Sequence, residues 1–145
     1  MKEFAIDIQL RWADLDPNFH VRHSVYYDWG AQCRMAFFEK FNFTTALMQQ
    51  LHVAPILFRE ECVFKKEIRS GDSISLDLKL VKSKRDYSRW TIQHTIKKEG
   101  KVTAAIITVD GTWIDTNLRK LAVPPKEAIL LFSEMSMSDD FSWID

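Results

Sequence analysis

One long aromatic helix followed by four strand-like segments on short turns predicts an α+β domain, a curved antiparallel sheet of about five strands wrapped round a central helix. Three observations carry that reading. Val25 to about Phe41 keeps a helical period without a proline. From Ile56 onward the chain alternates apolar and polar residues with a period of two. Aromatics cover so much of the helix that one packed face would leave rings in water, and a curling sheet covers them.

The elements follow in order. Ile6, Ile8, Leu10 and Trp12 alternate with polar partners, so residues 5–12 read as a half-buried strand. A polar loop runs to about Ser24, whose hydroxyl suits a helix N-cap. Tyr26, Trp29, Cys33 and Phe37 form the helix stripe, widened by Met35, Ala36 and Phe38. Gly30 within that helix costs roughly 1 kcal/mol against alanine, and close approach of another backbone would compensate. Thr44 can cap a short second helix bearing Leu47, Met48 and Leu51. Strands are expected over Ile56–Arg69, Ile74–Leu80, Trp90–Ile96 and Val102–Asp115. The last is apolar on both sides, so it belongs at the sheet centre. Lys126–Phe132 reads as a short helix with Pro125 near its first turn. Residues 1–132 make one domain, and 133–145, with four acids and no base, a loose acidic tail.

Composition narrows the function. The chain has 145 residues and a formal net charge of zero, which argues against a nucleic-acid or membrane-surface partner, since both favour a basic excess. No apolar run is long enough to span a bilayer. Met1-Lys2-Glu3-Phe4 leads straight into a strand, so no secretory signal is expected. Cys33 and Cys62 sit in apolar patterns without metal-ligand spacing, as buried reduced thiols of a cytoplasmic protein would. No phosphate-binding glycine loop or internal repeat occurs. The outer face of a sheet wrapped round one helix still needs cover, which predicts a homodimer.

The functional signal lies in Trp12–Phe41. A loop carrying Asp16, Asn18, His20 and His23 runs into the start of an apolar helix, placing titratable groups and backbone amides beside a greasy wall. The same Asp-Pro-Asn run also makes a turn with no chemistry at all.

The run R-W-A-D-L-D-P-N-F-H-V-R-H-S-V-Y-Y-D-W resembles the hotdog-fold acyl-CoA and acyl-ACP thioesterases, whose signature D-x-D-x-N-x-H-V-N-N-x-x-Y lies between a first strand and the central helix. Asp14, Asp16, Asn18, His20, Val21 and Tyr26 occupy signature positions, and E-I-R-S-G-D-S-I-S-L resembles the family's Gly-Asp strand turn. The resemblance spans Phe4 to about Leu131 and is greatest to the bacterial single-domain branch typified by 4-hydroxybenzoyl-CoA thioesterase. Two positions depart from it: Arg22 and His23 replace the paired asparagines, and Phe19 replaces a residue that is often small. The resemblance implies hydrolysis of an acyl-CoA or acyl-ACP thioester in the cytoplasm, with no cofactor or metal, coenzyme A being part of the substrate. It also implies a homodimer or dimer of dimers with the site at the protomer interface.

In that reading Asp16 is general base or nucleophile, and the amides of His23 and Ser24 at the positive end of the helix form the oxyanion hole. Asn18 and His20 orient the water or the Asp16 carboxylate, and Tyr26, on the packing stripe, borders the substrate. A second carboxylate is expected on the next strand from Glu61, ahead of Glu60. Lys82, Lys84, Arg85 and Arg89, clustered on one hairpin, are candidates for the CoA phosphates. An Arg22 pointing into the pocket would favour an acidic acyl group. Two alternatives share the fold: a non-catalytic or acyl-binding domain, and an enoyl-CoA hydratase. For the hydratase, D-L-D-P-N-F-H matches only superficially, since His20 falls six places after Asp14 instead of five.

Overall fold

The computed structural model describes residues 3–144; Met1, Lys2 and Asp145, the outermost residues of the expected lead-in and tail, lie outside it. Its centre is α1 (Val25–Lys40), about 24 Å long at 1.5 Å per residue. The expected stripe is the buried one: Tyr26, Trp29, Cys33 and Phe37 are each at most 4% exposed. Ser24 does not cap the helix. Its backbone is already helical, and its hydroxyl accepts from Arg22 Nη1 at 2.8 Å. Nor does a backbone approach Gly30. A Cβ there would meet side chains, Arg34 Nη1 at 3.2 Å and His94 Cδ2 at 3.4 Å.

The sheet is five strands across, some of them broken. β3 (Ile74–Asp77) and β4 (Lys79–Ser83) lie end to end against β5 (Trp90–Lys98). β1 (Ala5–Ile8) flanks β3 on one edge. On the other side of β5 comes β6 (Val102–Asp115), central as expected, and then the edge strand β2 (Val53–Phe64); the two-residue β7 (Lys120–Leu121) pairs with Ile114 and Asp115 at the end of β6, on the side away from β2. Ile74, Leu76, Leu78 and Leu80 are all at most 2% exposed, so the period-two alternation runs unbroken through the β3–β4 junction. α2 (Thr45–Leu51) is capped as expected, Thr44 Oγ1 accepting from Leu47 N at 3.2 Å. α3 (Lys126–Ser133) packs Phe132 onto Trp90 and Trp113.

Several boundaries differ from expectation: β2 begins three residues early, at Val53, and β5 runs on to Lys98. β1 stops at Ile8, because Asp14 accepts from Arg11 N at 3.0 Å and from Arg11 Nη2 at 2.6 Å, folding residues 12–14 into a 3-10 turn. β2 stops at Phe64, where Lys65 N and Lys66 N both turn onto Ala104 O, so residues up to Arg69 are not strand. The acidic tail is not loose: Met137–Trp143 forms β8, parallel to β4. Its hold is aromatic. Trp143 packs near Tyr87 (6.1 Å between centroids) and under the Arg85 guanidinium (5.1 Å), and Ile144 N donates to Ser83 O at 2.8 Å.

One polar network is buried beneath α1. His94 is fully buried, with Nδ1 2.8 Å from Asp77 O and Nε2 3.1 Å from Arg34 Nη1. A carbonyl can only accept and a guanidinium can only donate, so the proton sits on Nδ1 and the imidazole is neutral. Burial, then the Arg34 charge, pushes the His94 pKa down to about 3. Asp77 Oδ1 accepts from Thr95 N at 2.7 Å, filling the gap that the β3–β4 break leaves in the ladder.

Candidate active site

The loop before α1 is a closed turn. Leu15 pairs with Val21, and Asp16 N donates to His20 O at 2.8 Å. Asp16 Oδ1 accepts from Asn18 N (2.8 Å) and His20 N (3.2 Å), as an aspartate does when it stabilises its own turn. Asp16 Oδ2 accepts no hydrogen bond from the described residues. Phe19 sits at φ +63°, which disfavours bulky side chains. Val21 N donates to Ile68 O at 2.9 Å, and His20 pairs with Arg69, so the loop is held against the chain leaving β2.

A pocket of about 360 Å³ opens between the two segments. Asp16, His20, Val21, His23 and Tyr26 line it from the loop and helix, and Phe64 to Ile68 from the other side. His20 Nε2 lies 3.4 Å from Glu67 Oε2. The Arg69 hydrogen bond and then the charge of His20 hold the Glu67 carboxyl below its ordinary range. Tyr26 stacks edge-on against Phe64 (4.9 Å), and burial pushes its phenol up to about 12, so it stays protonated at neutral pH. The amides of His23 and Ser24, at the N-terminus of α1, donate no hydrogen bond among the described residues. Asp16, His20 and His23 thus line one partly apolar recess at the start of α1, which suits addition of water to a carbonyl and stabilisation of the resulting oxyanion.

Of the residues expected at the site, the fold brings together Asp16, His20, His23 and Tyr26. Asn18 is an exposed turn residue acting through its backbone, and Ser24 contributes no side chain to the pocket. Glu61 is elsewhere: it alternates away from the helix and pairs with Arg59 at 2.7 Å, whereas Glu60 turns towards Arg34 at 3.8 Å. Lys82, Lys84, Arg85 and Arg89 are also elsewhere. They lie at the Trp90 end of β5, while Lys98 at its other end donates to Glu67 O, which sets them about 26 Å away along the strand. Arg22 folds back onto Ala13 O and Ser24 Oγ and does not enter the pocket. Glu67, Lys65 and Lys66 were missed. The signal was F-K-K-E-I-R, where the strand alternation lapses and a charged run begins.

The family model of the thioesterase-like superfamily matches residues 10–132, and the chain belongs to that superfamily. Solved structures agree on the fold, which is the hotdog fold. A hypothetical protein from Staphylococcus aureus solved in complex with CoA superposes with a TM-score of 0.86 at 16% identity, covering 99% of this chain and 90% of its own. A DHNA-CoA thioesterase from Staphylococcus aureus gives 0.81 at 18% identity, covering 92% and 91%. A 1,4-dihydroxy-2-naphthoyl-CoA thioesterase from Synechocystis gives 0.81 at 16% identity, covering 92% and 97%. No curated protein matches the sequence. Among the described residues no helix is long and apolar enough to cross a membrane.

Proposed function

We propose that the protein is a thioester hydrolase that cleaves an acyl-CoA to the free acid and CoA. The observation that carries this is the Asp16 carboxylate, one oxygen bound in its own turn and the other without a hydrogen bond among the described residues, in a pocket that His23 also lines; the amides of His23 and the adjacent Ser24 likewise have no partner among the described residues. Asp16 activates water or attacks the carbonyl directly, and the two amides take the developing negative charge with the helix dipole behind them. His20, held against Glu67, sits beside the reacting groups and handles the proton passing to the CoA thiolate. Lys65 and Lys66 give the pocket rim its cations for the CoA phosphates, in place of the distant hairpin. CoA enters as part of the substrate, and no separate cofactor takes part. Two unpaired thiols, Cys33 buried and Cys62 half-buried, suit a cytoplasmic enzyme.

The working unit is a homodimer. Among the described residues β2 pairs with β6 alone, so its other edge carries an unpaired backbone ladder, and Leu57, Phe58, Val63 and Phe64 are each at least 38% exposed along it. A second copy covering that edge closes the open side of the pocket at Phe64. The test is thiol release from acyl-CoA substrates by wild type and by Asp16→Asn. Release that falls at least about 100-fold in a variant with unchanged melting behaviour supports the reading. Release that survives removes Asp16 from the chemistry, and a folded wild type that cleaves no acyl-CoA sinks the proposal as a whole.

A further inference from the structure

A second recess, of about 160 Å³, lies farther along α1, walled by Ala31, Arg34, Met35 and Phe38 from the helix, Leu57 from β2 and Trp90 from β5. β2 runs beside α1 in the opposite sense: Phe64 meets Tyr26, Glu60 approaches Arg34, and Leu57 reaches the recess. The Asp16 pocket and this recess therefore lie at two points along one helix–strand seam. The distance is about 12 Å, the eight residues from Tyr26 to Arg34 at 1.5 Å each. Most of the wall is apolar, but two of its members are hydrogen-bond donors short of acceptors. Trp90 is 2% exposed and its buried Nε1–H has no partner among the described residues, whereas Trp113 donates to Tyr87 O at 2.8 Å. Arg34 is 9% exposed, yet its guanidinium, with five N–H donors, makes one hydrogen bond among the described residues, to His94. Its other neighbour, Glu60 Oε2 at 3.8 Å, is beyond hydrogen-bond reach. No acceptor side chain lines the recess.

Buried donors without acceptors are costly to a fold, and a desolvated guanidinium and an indole N–H in the wall of one recess suit an anion. Building on the thioesterase reading, we propose that this recess recognises a carboxylate at the far end of the acyl group. The preferred substrates are then thioesters of medium-length dicarboxylic acids, with Arg34 and Trp90 as the specificity-determining residues. The methylene chain lies along the seam, and the remote carboxylate displaces nothing but water on reaching the two donors. Glu60 opposes this binding by competing for Arg34, but its side chain is 30% exposed, so water screens it more than the buried cation.

The probes are suberoyl-CoA and octanoyl-CoA, of equal length and differing only at the far end, with suberate and octanoate as unreactive ligands. Wild type is expected to cleave suberoyl-CoA with a kcat/KM roughly tenfold above octanoyl-CoA, as a charge-assisted contact allows. Trp90→Phe keeps a ring while removing the donor, and should cut that preference several-fold without lowering octanoyl-CoA cleavage in proportion. Glu60→Gln should raise the preference. Titration of suberate into 15N-labelled protein should shift the Trp90 indole resonance, assigned by its loss in Trp90→Phe, whereas octanoate should not. Suberate binding with that shift but no thiol release from either thioester would keep the recess and discard the hydrolase reading. Equal cleavage of both thioesters, with the Trp90 indole unmoved by suberate, would overturn the recess and leave the hydrolase reading intact.

Discussion

The neutral His94 makes the stability of the fold depend on pH in a way that one substitution removes. In the unfolded chain its imidazole titrates near the ordinary 6.5, and in the folded protein the pKa drops to about 3. The unfolded state therefore binds the extra proton, and stability is lost as pH falls from about 6.5 towards 3. At 1.36 kcal/mol per unit, the whole shift is worth roughly 5 kcal/mol, and about 2 kcal/mol of it is lost between pH 8 and pH 5. That upper window isolates the effect. Asp14, Glu67 and Asp86 have lowered pKa values and withdraw their support only as pH falls through the carboxylate range. The assay is urea unfolding at fixed protein concentration from pH 8 to pH 5, on wild type and His94→Gln, which keeps an acceptor for Arg34. Wild type should lose about 2 kcal/mol more than the variant across the window. Parallel curves would refute the neutral, Nδ1-protonated ring, and with it the assignment of Arg34 as donor to Nε2.

Two further predictions rest on other contacts. Gly111 pairs with Trp90 across β5 and β6, and a Cβ at Gly111 would lie 2.6 Å from Trp90 Cζ2, inside contact distance. Trp90 is wedged against Trp113 and Phe132, so Gly111→Ala should destabilise by about 2 kcal/mol or more, read as a fall in the urea midpoint at unchanged slope. If Lys65 and Lys66 meet the CoA phosphates, the double alanine variant should raise KM for acyl-CoA several-fold, with little change in kcat and a weaker dependence of KM on salt. The same loss of affinity from the hairpin residues Lys84 and Arg85, with Lys65 and Lys66 silent, would return the phosphate site to the hairpin.

The sequence by itself determined the elements and the loop. The stripe on α1 and the alternation in β3 to β6 are local periodicities, and each residue's side is set by its own backbone geometry. Asp16 and His20 reached one pocket because only three residues of a self-bonded turn separate them, so their closeness is also local. What crosses the chain was decided only by tertiary structure. Glu67 faces His20 because the Val21–Ile68 hydrogen bond registers two segments far apart in sequence. Glu61 was lost to the site by parity: along β2, Glu60, Cys62 and Phe64 look towards α1, and one residue's step turns Glu61 to the other face. Arg34 shows the same limit from the other direction. Its charge argues for solvent, yet Gly30 one turn earlier leaves space for the guanidinium, and His94 on β5 supplies an acceptor. The acidic tail reads as solvated by its charges, yet it forms β8 because β4 offers a free edge and Trp143 finds Tyr87 and Arg85. Local sequence sets which way a side chain can point, and only the packed fold sets what it meets.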